Sequence, residues 1–452
     1  MEKTIEGKGK FKYKDELEIE GSIRISVDSN NAWDSKKNSV ICYIDEGTID
    51  KTLNDLPFFP WIFEGESIEG ELISANNMAL TKRGGDINNQ GLNIKWEFDI
   101  SELVIEGNSK CERFEFWISN FLIAFDDMTR IGTRSVRNKS SFTINHNQDT
   151  IKIDFFEVNN IVTEKDEIIK KNEDLVTLKV VLKKENSTIQ FDEAREIMES
   201  IIDLFSVAYG ARVNWTNALG FNNDLELFNM IRNVPHASLT PFRQLIRVLY
   251  PGYLSRFIQM CYPVYNGLGQ ETRHSLKKLV EGIHLSASRL IFPAPFIILG
   301  SSIEDFANNE LGDTSTHYIK RAERRRIYPY FKGFIDENIV VSLSEEDIGD
   351  FDETGIKQKL SGLVQRNLRS RITNLLQTFE VEFDNDWVRQ FVIKRNQAAH
   401  GDYVFTPSDY LIWTRMATLL EQIILIKLQY SDEYLDWSTS PPEWKINLNR
   451  LG

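Results

Sequence analysis

The sequence predicts an α+β protein in two domains: an antiparallel β-rich domain over residues 1–187 and a mainly helical domain over 188–452. Three observations predict it. A length of 452 residues suits two or three domains. From about Phe11 to Lys184 apolar residues recur with period two, the signature of strands with one buried face. After Ser187 the period becomes that of an amphipathic helix.

The β-rich stretch is legible piece by piece. Ile23, Ile25 and Val27 alternate with polar residues, as do Leu92, Ile94, Trp96 and Phe98. Phe114 and Phe116, then Ile151, Ile153 and Phe155, then Val176, Leu178 and Val180 continue the pattern. Turn chemistry separates these runs at Asp28–Asn31, Arg83–Asp86, Glu106–Asn108 and Asn145–Asn147. Roughly ten short strands with no helical period between them point to a sandwich or barrel-like domain. Trp61, Trp96 and Trp117 suit core packing first, and a carbohydrate- or protein-binding surface second.

The helical half opens with Phe191–Tyr209, where Ala194, Ile197, Met198, Ile201, Ile202, Phe205 and Ala208 fall at helical spacing. Asp192 suits its cap and Gly210 its stop. Further helices are expected at Pro241–Leu249, Thr272–Leu290, His317–Ile327, Ile356–Phe379 and Asp386–His400. The last long helix has the best start signal, Thr406-Pro407-Ser408-Asp409, with an N-cap, a first-turn proline and an acidic third position. Glu337–Asp352 reads as an acidic linker.

Composition narrows the function. The chain is 41% apolar and 11% aromatic, enough for sizeable cores, and carries a formal net charge of −14. A nucleic-acid site must therefore be a local basic patch working against the overall field. Cys42, Cys111 and Cys261 lie far apart and fit a reducing compartment. The N-terminus has no apolar signal region, and the longest near-apolar run, Leu290–Leu299, is too short to span a bilayer. A cytoplasmic protein with no membrane segment is expected.

The usual catalytic signatures are absent. Gly267-Leu268-Gly269 lacks the residues of a phosphate loop, and the histidines have no zinc spacing. Asp126-Asp127 reads as a solvated loop pair. No metal or cofactor is expected. The run Lys320–Arg326 reads first as a solvated helix face. Arg366 and Arg369 share a face of their helix and are candidates for tracking an RNA backbone.

One constellation remains. On the helix Asp386–His400, at about 100° per residue, Val388, Phe391, Val392 and Ala399 form an apolar stripe with Arg395 projecting into it. Asn396 and His400, at i and i+4, lie side by side on its flank. A guanidinium in an apolar stripe needs a counter-charge. One answer is a single ion pair within the core, with His400 favoured by the helix C-terminus. The other is a phosphate.

The pattern Arg395-Asn396-x-x-x-His400 in a helical domain resembles the signature of the HEPN ribonucleases, an Arg, a polar residue and a following His. The likeness covers residues 356–430, which would be the catalytic core. A β-rich domain ahead of it, with a strand such as Phe114–Asn120, is similar to the ApeA-like anti-phage defence proteins. The resemblance implies a metal-independent endoribonuclease, with Arg395, Asn396 and His400 as catalytic residues and RNA (tRNA by the family's habit) as substrate. It also implies a homodimer or higher oligomer whose paired motifs form one cleft. The β-domain would then sense a phage-derived or cellular trigger, in a toxin of abortive infection. The rival reading is a noncatalytic HEPN-like module that binds nucleotides, RNA or a protein.

Overall fold

The computed structural model describes residues 2–13, 17–28, 39–44, 60–88, 91–106, 109–131, 135–158, 176–232, 243–288, 291–312, 321–338 and 367–446. They belong to two compact units, Met1–Asn266 and Gly267–Gly452.

Antiparallel pairing builds the first unit. Strands β1 (Glu2–Tyr13), β2 (Leu17–Asp28), β3 (Ser39–Ile44), β4 (Trp61–Ser67), β5 (Leu72–Asn88) and β6 (Gly91–Glu106) stand in the order β3-β2-β1-β4-β5-β6. Strand β6 pairs back to β3, Val40 opposite Phe98. The ring is closed, so this part is a barrel without free edges. Period-two alternation sends Phe11, Ile25, Trp61 and Phe63 inward, where each is wholly buried. The Phe11 and Phe63 rings lie 4.8 Å apart. Each such side chain contributes about 1.5–3 kcal/mol of burial energy. Trp61 is therefore a core residue, and the side chain of Trp96 lies outside those described.

The chain then supplies β7 (Lys110–Cys111), β8 (Arg113–Ser119), β9 (Asp127–Ile131), β10 (Ser135–His146), β11 (Asp149–Glu157), β12 (Val176–Lys184) and β13 (Ile189–Gln190). Helix α1 (Phe191–Tyr209) and strands β14 (Asn214–Asn222) and β15 (Leu225–Arg232) follow. Beyond β6 the large sheet runs on through β15-β14-β8-β12-β11-β10-β9, an open wing on the barrel. Helix α1 covers one face of it. Phe191 packs on Phe114 and Phe228, with centroids 5.6 and 4.2 Å apart, and Phe205 packs on Phe121 and Phe155 at 4.7 and 5.5 Å. The helix is preceded by Gln190 at its N-cap, with Asp192 in its first turn, and stops at Gly210, φ +71°.

Strands β14 and β15 explain why the unit boundary falls at Asn266 and not at the change of period near 187. They follow the first helix yet pair with β8 and β6, so long-range ladders hold them to the first unit. Helix α2 (Tyr253–Gly267) belongs there too: Tyr262 hydroxyl meets His146 Nδ1 at 2.9 Å. Asp126 accepts from Gly252 N at 2.5 Å and from Ser255 Oγ at 3.0 Å at the start of that helix. This gives Asp126 a structural task. The expected helix over 241–249 is not formed by its described residues, 243–249. Leu245 and Ile246 donate their N–H groups to Ala208 O, and Val248 O accepts from Ala124 N. Tertiary hydrogen bonds took the groups a helix would need.

The second unit holds α3 (Gln270–Ala287), α4 (Ala294–Leu311), α5 (Arg321–Asn338), α6 (Leu368–Thr378), α7 (Asn385–His400) and α8 (Asp409–Lys427), then the hairpin β16 (Glu433–Asp436) and β17 (Glu443–Ile446). The α+β division therefore holds: a β-rich region comes first and a helical region second. Helix α4 begins inside the near-apolar run Leu290–Leu299, where no helix is expected from the sequence. Its prolines occupy the start, where a missing N–H costs nothing. Among the described residues no helix is long and apolar enough to cross a membrane. Residues 339–366 lie outside those described, and with them Arg366 and most of the expected linker.

Candidate functional site at the end of helix α7

Local chemistry sets both ends of α7. Asp384 accepts from Asp386 N at 2.8 Å at the start, satisfying one orphan donor. At the end Gly401 is left-handed, φ +84°, and both Gly401 N and Asp402 N donate to Gln397 O. A left-handed glycine with this bonding terminates a helix, and it leaves His400 as the last helical residue.

The apolar stripe is buried only at its N-terminal part. Val388 and Phe391 are wholly buried, and Phe391 packs 5.8 Å from the Phe296 ring. Val392 is half-buried, while Ala399 is exposed, as are Asn396 and His400. The expectation that Ala399 joins the covered stripe is therefore corrected. Of the last turn, Ala399 and His400 are exposed while Gln397 and Ala398 are half-buried.

Two adjacent cations on this helix meet different surroundings. Lys394 Nζ is 2.9 Å from Asp409 Oδ1 and donates to Val404 O at 3.1 Å and Thr406 Oγ1 at 3.3 Å. Asp409 is 0% exposed. It also accepts from Tyr403 Oη at 2.5 Å, from Thr406 N at 3.1 Å, and from Thr406 Oγ1. The expected N-cap at Thr406 is corrected: the helix starts at Asp409 with Ser408 as its N-cap, whose side chain makes no capping bond, and Thr406 instead donates to the Asp409 carboxylate from N and Oγ1. Burial pushes the Asp409 carboxyl upward, but the hydrogen bonds from Thr406, Tyr403 and Lys394 outweigh it and hold it below the usual range. Burial, then the bond to Asp409, raises the Tyr403 phenol.

Arg395 is held loosely. Its Nη2 is 3.4 Å from Glu304 Oε2 on α4, its Nη1 is 3.4 Å from Asn396 Oδ1, and its buried Nε has no hydrogen-bond partner. Both contacts lie at the long end of hydrogen bonding. The guanidinium side chain keeps 24% of its surface and Glu304 32%. Its stem lies over Gly300, where an added Cβ would come 2.9 Å from Arg395 Cγ. The ion pair anticipated as one answer to the buried arginine exists, but it is long and partly exposed. His400 is engaged by no hydrogen bond among the described residues.

The other predicted residues are not brought to this end. Arg369 is exposed on α6, and its charge helps hold Asp386 low, behind the hydrogen bonds from Arg389 and Gln390. Asp386 and His400 are separated by nearly the whole helix, roughly 20 Å at 1.5 Å per residue. Arg366 lies outside the described residues, as does Lys320 of the basic run, while Arg326 is exposed on α5. Among the described residues no group of three or more His, Cys, Asp or Glu is placed to hold a metal.

Sequence reasoning missed Gly300 and Glu304, because α4 was not recognised. The signal was available: prolines at a helix start, followed by a small residue and, four residues on, a carboxylate on the same face. What the arrangement offers is an exposed imidazole, an exposed carboxamide and a partly free guanidinium within the last turn and a half of the helix. Comparison of the chain with protein-family models, with curated proteins and with solved structures finds no match.

Proposed function

We propose that the protein is a metal-independent RNA endonuclease of HEPN type, working by 2′-hydroxyl transesterification. The observation that carries this reading is the end of α7, where Asn396 and His400 are exposed beside a loosely held Arg395 and His400 has no hydrogen-bond partner among the described residues. Buried partners would argue for structural roles; exposed and underused ones argue for a ligand.

In the reaction the 2′-oxygen attacks the adjacent phosphorus while its proton passes to a base. The P–O5′ bond breaks, and the 5′-oxygen takes a proton. The products are a 2′,3′-cyclic phosphate and a 5′-hydroxyl, and DNA is not cut. An imidazole, with an unperturbed pKa near ~6.5, serves for proton transfer at neutral pH. Arg395 places a planar fork on the phosphoryl oxygens as charge builds, with its long contact to Glu304 exchanged for the phosphate. Asn396 orients the imidazole or bonds the ribose.

Two copies of the motif around one phosphate would complete the cleft. Exposed apolar residues on the same helix and the following loop, Ile393, Val404 and Phe405, support self-association. A regulated toxin of anti-phage defence, its β-rich unit answering a trigger, is the cellular role proposed. The rival reading, a noncatalytic HEPN-like binding module, draws on the Arg395–Glu304 pair.

The test incubates wild type and His400→Ala with bulk tRNA and with structured RNA, with and without EDTA. Cleavage by wild type alone, indifferent to EDTA and leaving cyclic phosphate ends, is the expected result. Equal cleavage by both proteins, or cleavage that EDTA abolishes, overturns the mechanism. RNA binding without cleavage under any trigger, together with unfolding of Arg395→Ala, favours the rival.

A further inference from the structure

Glu304 places a carboxylate beside the one group at the end of α7 that would take an anion. Helix α4 carries three carboxylates, Glu304, Asp305 and Glu310. Two are engaged by lysines: Asp305 lies 3.1 Å from Lys278 Nζ, and Glu310 lies 2.6 Å from Lys427 Nζ. Glu304 turns instead to Arg395, at 3.4 Å, and has no other partner among the described residues. A pair this long and this exposed is a weak tether, so its position beside the guanidinium needs another account.

Gly300, one turn earlier on the same face of α4, decides how that guanidinium can be approached. The Arg395 stem lies so close that an added Cβ would meet Cγ at 2.9 Å and Nε at 3.3 Å. Nε is accordingly buried, with no hydrogen-bond partner. What remains of the fork is its outer end. There Asn396 Oδ1 lies 3.4 Å from Nη1, and Glu304 Oε2 lies 3.4 Å from Nη2. These are the two nitrogens through which an oxyanion meets the fork end-on, and the two side-chain oxygens stand in for those of a phosphate.

An incoming anion must therefore share Nη2 with Glu304 or displace it. Either way a carboxylate stays within ~4–6 Å of the anion, the range in which like charges disfavour each other. Asn396 is uncharged and imposes no such cost. Lys394, committed to Asp409 at 2.9 Å, does not offset it. The repulsion grows with the charge of the anion. A phosphodiester carries a single negative charge, whereas a phosphate monoester carries about 1.5 to 2 at neutral pH.

We propose that Glu304 is a specificity-determining residue, which makes the Arg395 site favour monoanionic phosphodiesters over dianionic phosphate monoesters. The inference rests on reading the end of α7 as a phosphate site. To that reading it adds a choice of substrate: the internal links of a strand, and not its phosphorylated ends. With no anion bound, the same carboxylate balances the guanidinium and keeps it aimed outward.

The test uses the full-length chain at about pH 8, where a monoester is dianionic. The probe is a fluorescent 2′-O-methylated oligouridine, which lacks the attacking hydroxyl. Competition by 2′-O-methyluridine 3′-monophosphate and by its methyl ester gives two affinities for each variant, and their ratio is the readout. Wild type is expected to favour the methyl ester. Glu304→Gln keeps the shape and removes the charge, and should improve monoester binding about three- to tenfold relative to the diester. Arg395→Ala should weaken both competitors, and the double variant should show no further effect of Glu304→Gln. Unchanged thermal midpoints guard against misfolding. A residue that only tethered Arg395 would alter both affinities alike and leave the ratio where it was. An unchanged ratio in Glu304→Gln thus overturns the proposal, as does a shift that persists without Arg395, or the absence of competable binding. RNA cleavage measured in parallel separates the two readings. Cleavage by wild type with an unchanged ratio overturns this proposal alone. A shifted ratio without cleavage under any trigger overturns the nuclease and leaves Glu304 selecting anions at a binding site.

Discussion

Lys394 and Arg395 are neighbours in sequence with opposite fates. Lys394 meets a carboxylate with no exposed surface, at 2.9 Å, inside a network of hydroxyls and backbone groups. Arg395 meets a carboxylate one-third exposed, at 3.4 Å, with its Nε unbonded. Residues one apart on a helix point about 100° away from each other, so the two cations face different neighbours. The difference teaches where energy is committed. The Lys394 side is locked into holding the loop after α7, whereas the Arg395 side retains a charge that a ligand can claim.

Five variants break or sharpen that contrast, in order of expected effect on stability. Asp409→Ala leaves the Lys394 ammonium without its counter-charge and removes the acceptor for Tyr403 and Thr406. Breaking a buried pair in this way costs ~3–5 kcal/mol, to be read from urea unfolding at neutral pH. A loss below about 1 kcal/mol would erase the distinction drawn here.

The same carboxylate gives a pH dependence of definite sign. Because the folded state holds Asp409 below its ordinary value, its contribution is complete above the unfolded range near ~3.9. It is lost as pH falls through the lower folded value. Asp409→Asn should therefore flatten the acid limb of the stability profile below about pH 4, and an unchanged limb would contradict the assignment.

Gly300→Ala acts on the other side. Its new methyl meets the flexible Arg395 stem at 2.9 Å, and the helix gains about 1 kcal/mol from replacing glycine. Overpacking costs about as much, so stability should stay within ~1 kcal/mol. The guanidinium must shift, and the RNA cleavage proposed for this site should fall. Arg395→Ala should cost less than ~1 kcal/mol, as half-exposed pairs do, yet abolish cleavage. Smallest of all, His400→Ala should leave the unfolding midpoint within about 0.5 kcal/mol of wild type. A large destabilisation by either of the last two would move the α7 turn from the ligand side of the comparison to the structural side.

Several features were legible in the chain because they are local. Period-two alternation located the strands, and the Thr406–Asp409 run marked a helix start, although the N-cap is Ser408 and not Thr406. Helix α7 was read to within one residue of its start, and Gly401 ends it as a left-handed glycine should. The triad Arg395, Asn396 and His400 could be named because its members share one helix turn and a half.

What the sequence by itself determined, then, is the order of element types and the chemistry available at the end of α7. Tertiary structure alone decided the rest. Closure of β6 onto β3 makes a barrel from strands far apart in the chain. The return of β14 and β15 to the sheet moves the unit boundary to Asn266. The approach of α4 gives Arg395 Glu304 as its contact and Gly300 as its floor. The physical reason is common to all three. Periodicity encodes which side of an element is buried, but not which distant element buries it. Whether a cation becomes a locked strut like Lys394 or remains available like Arg395 depends on that partner.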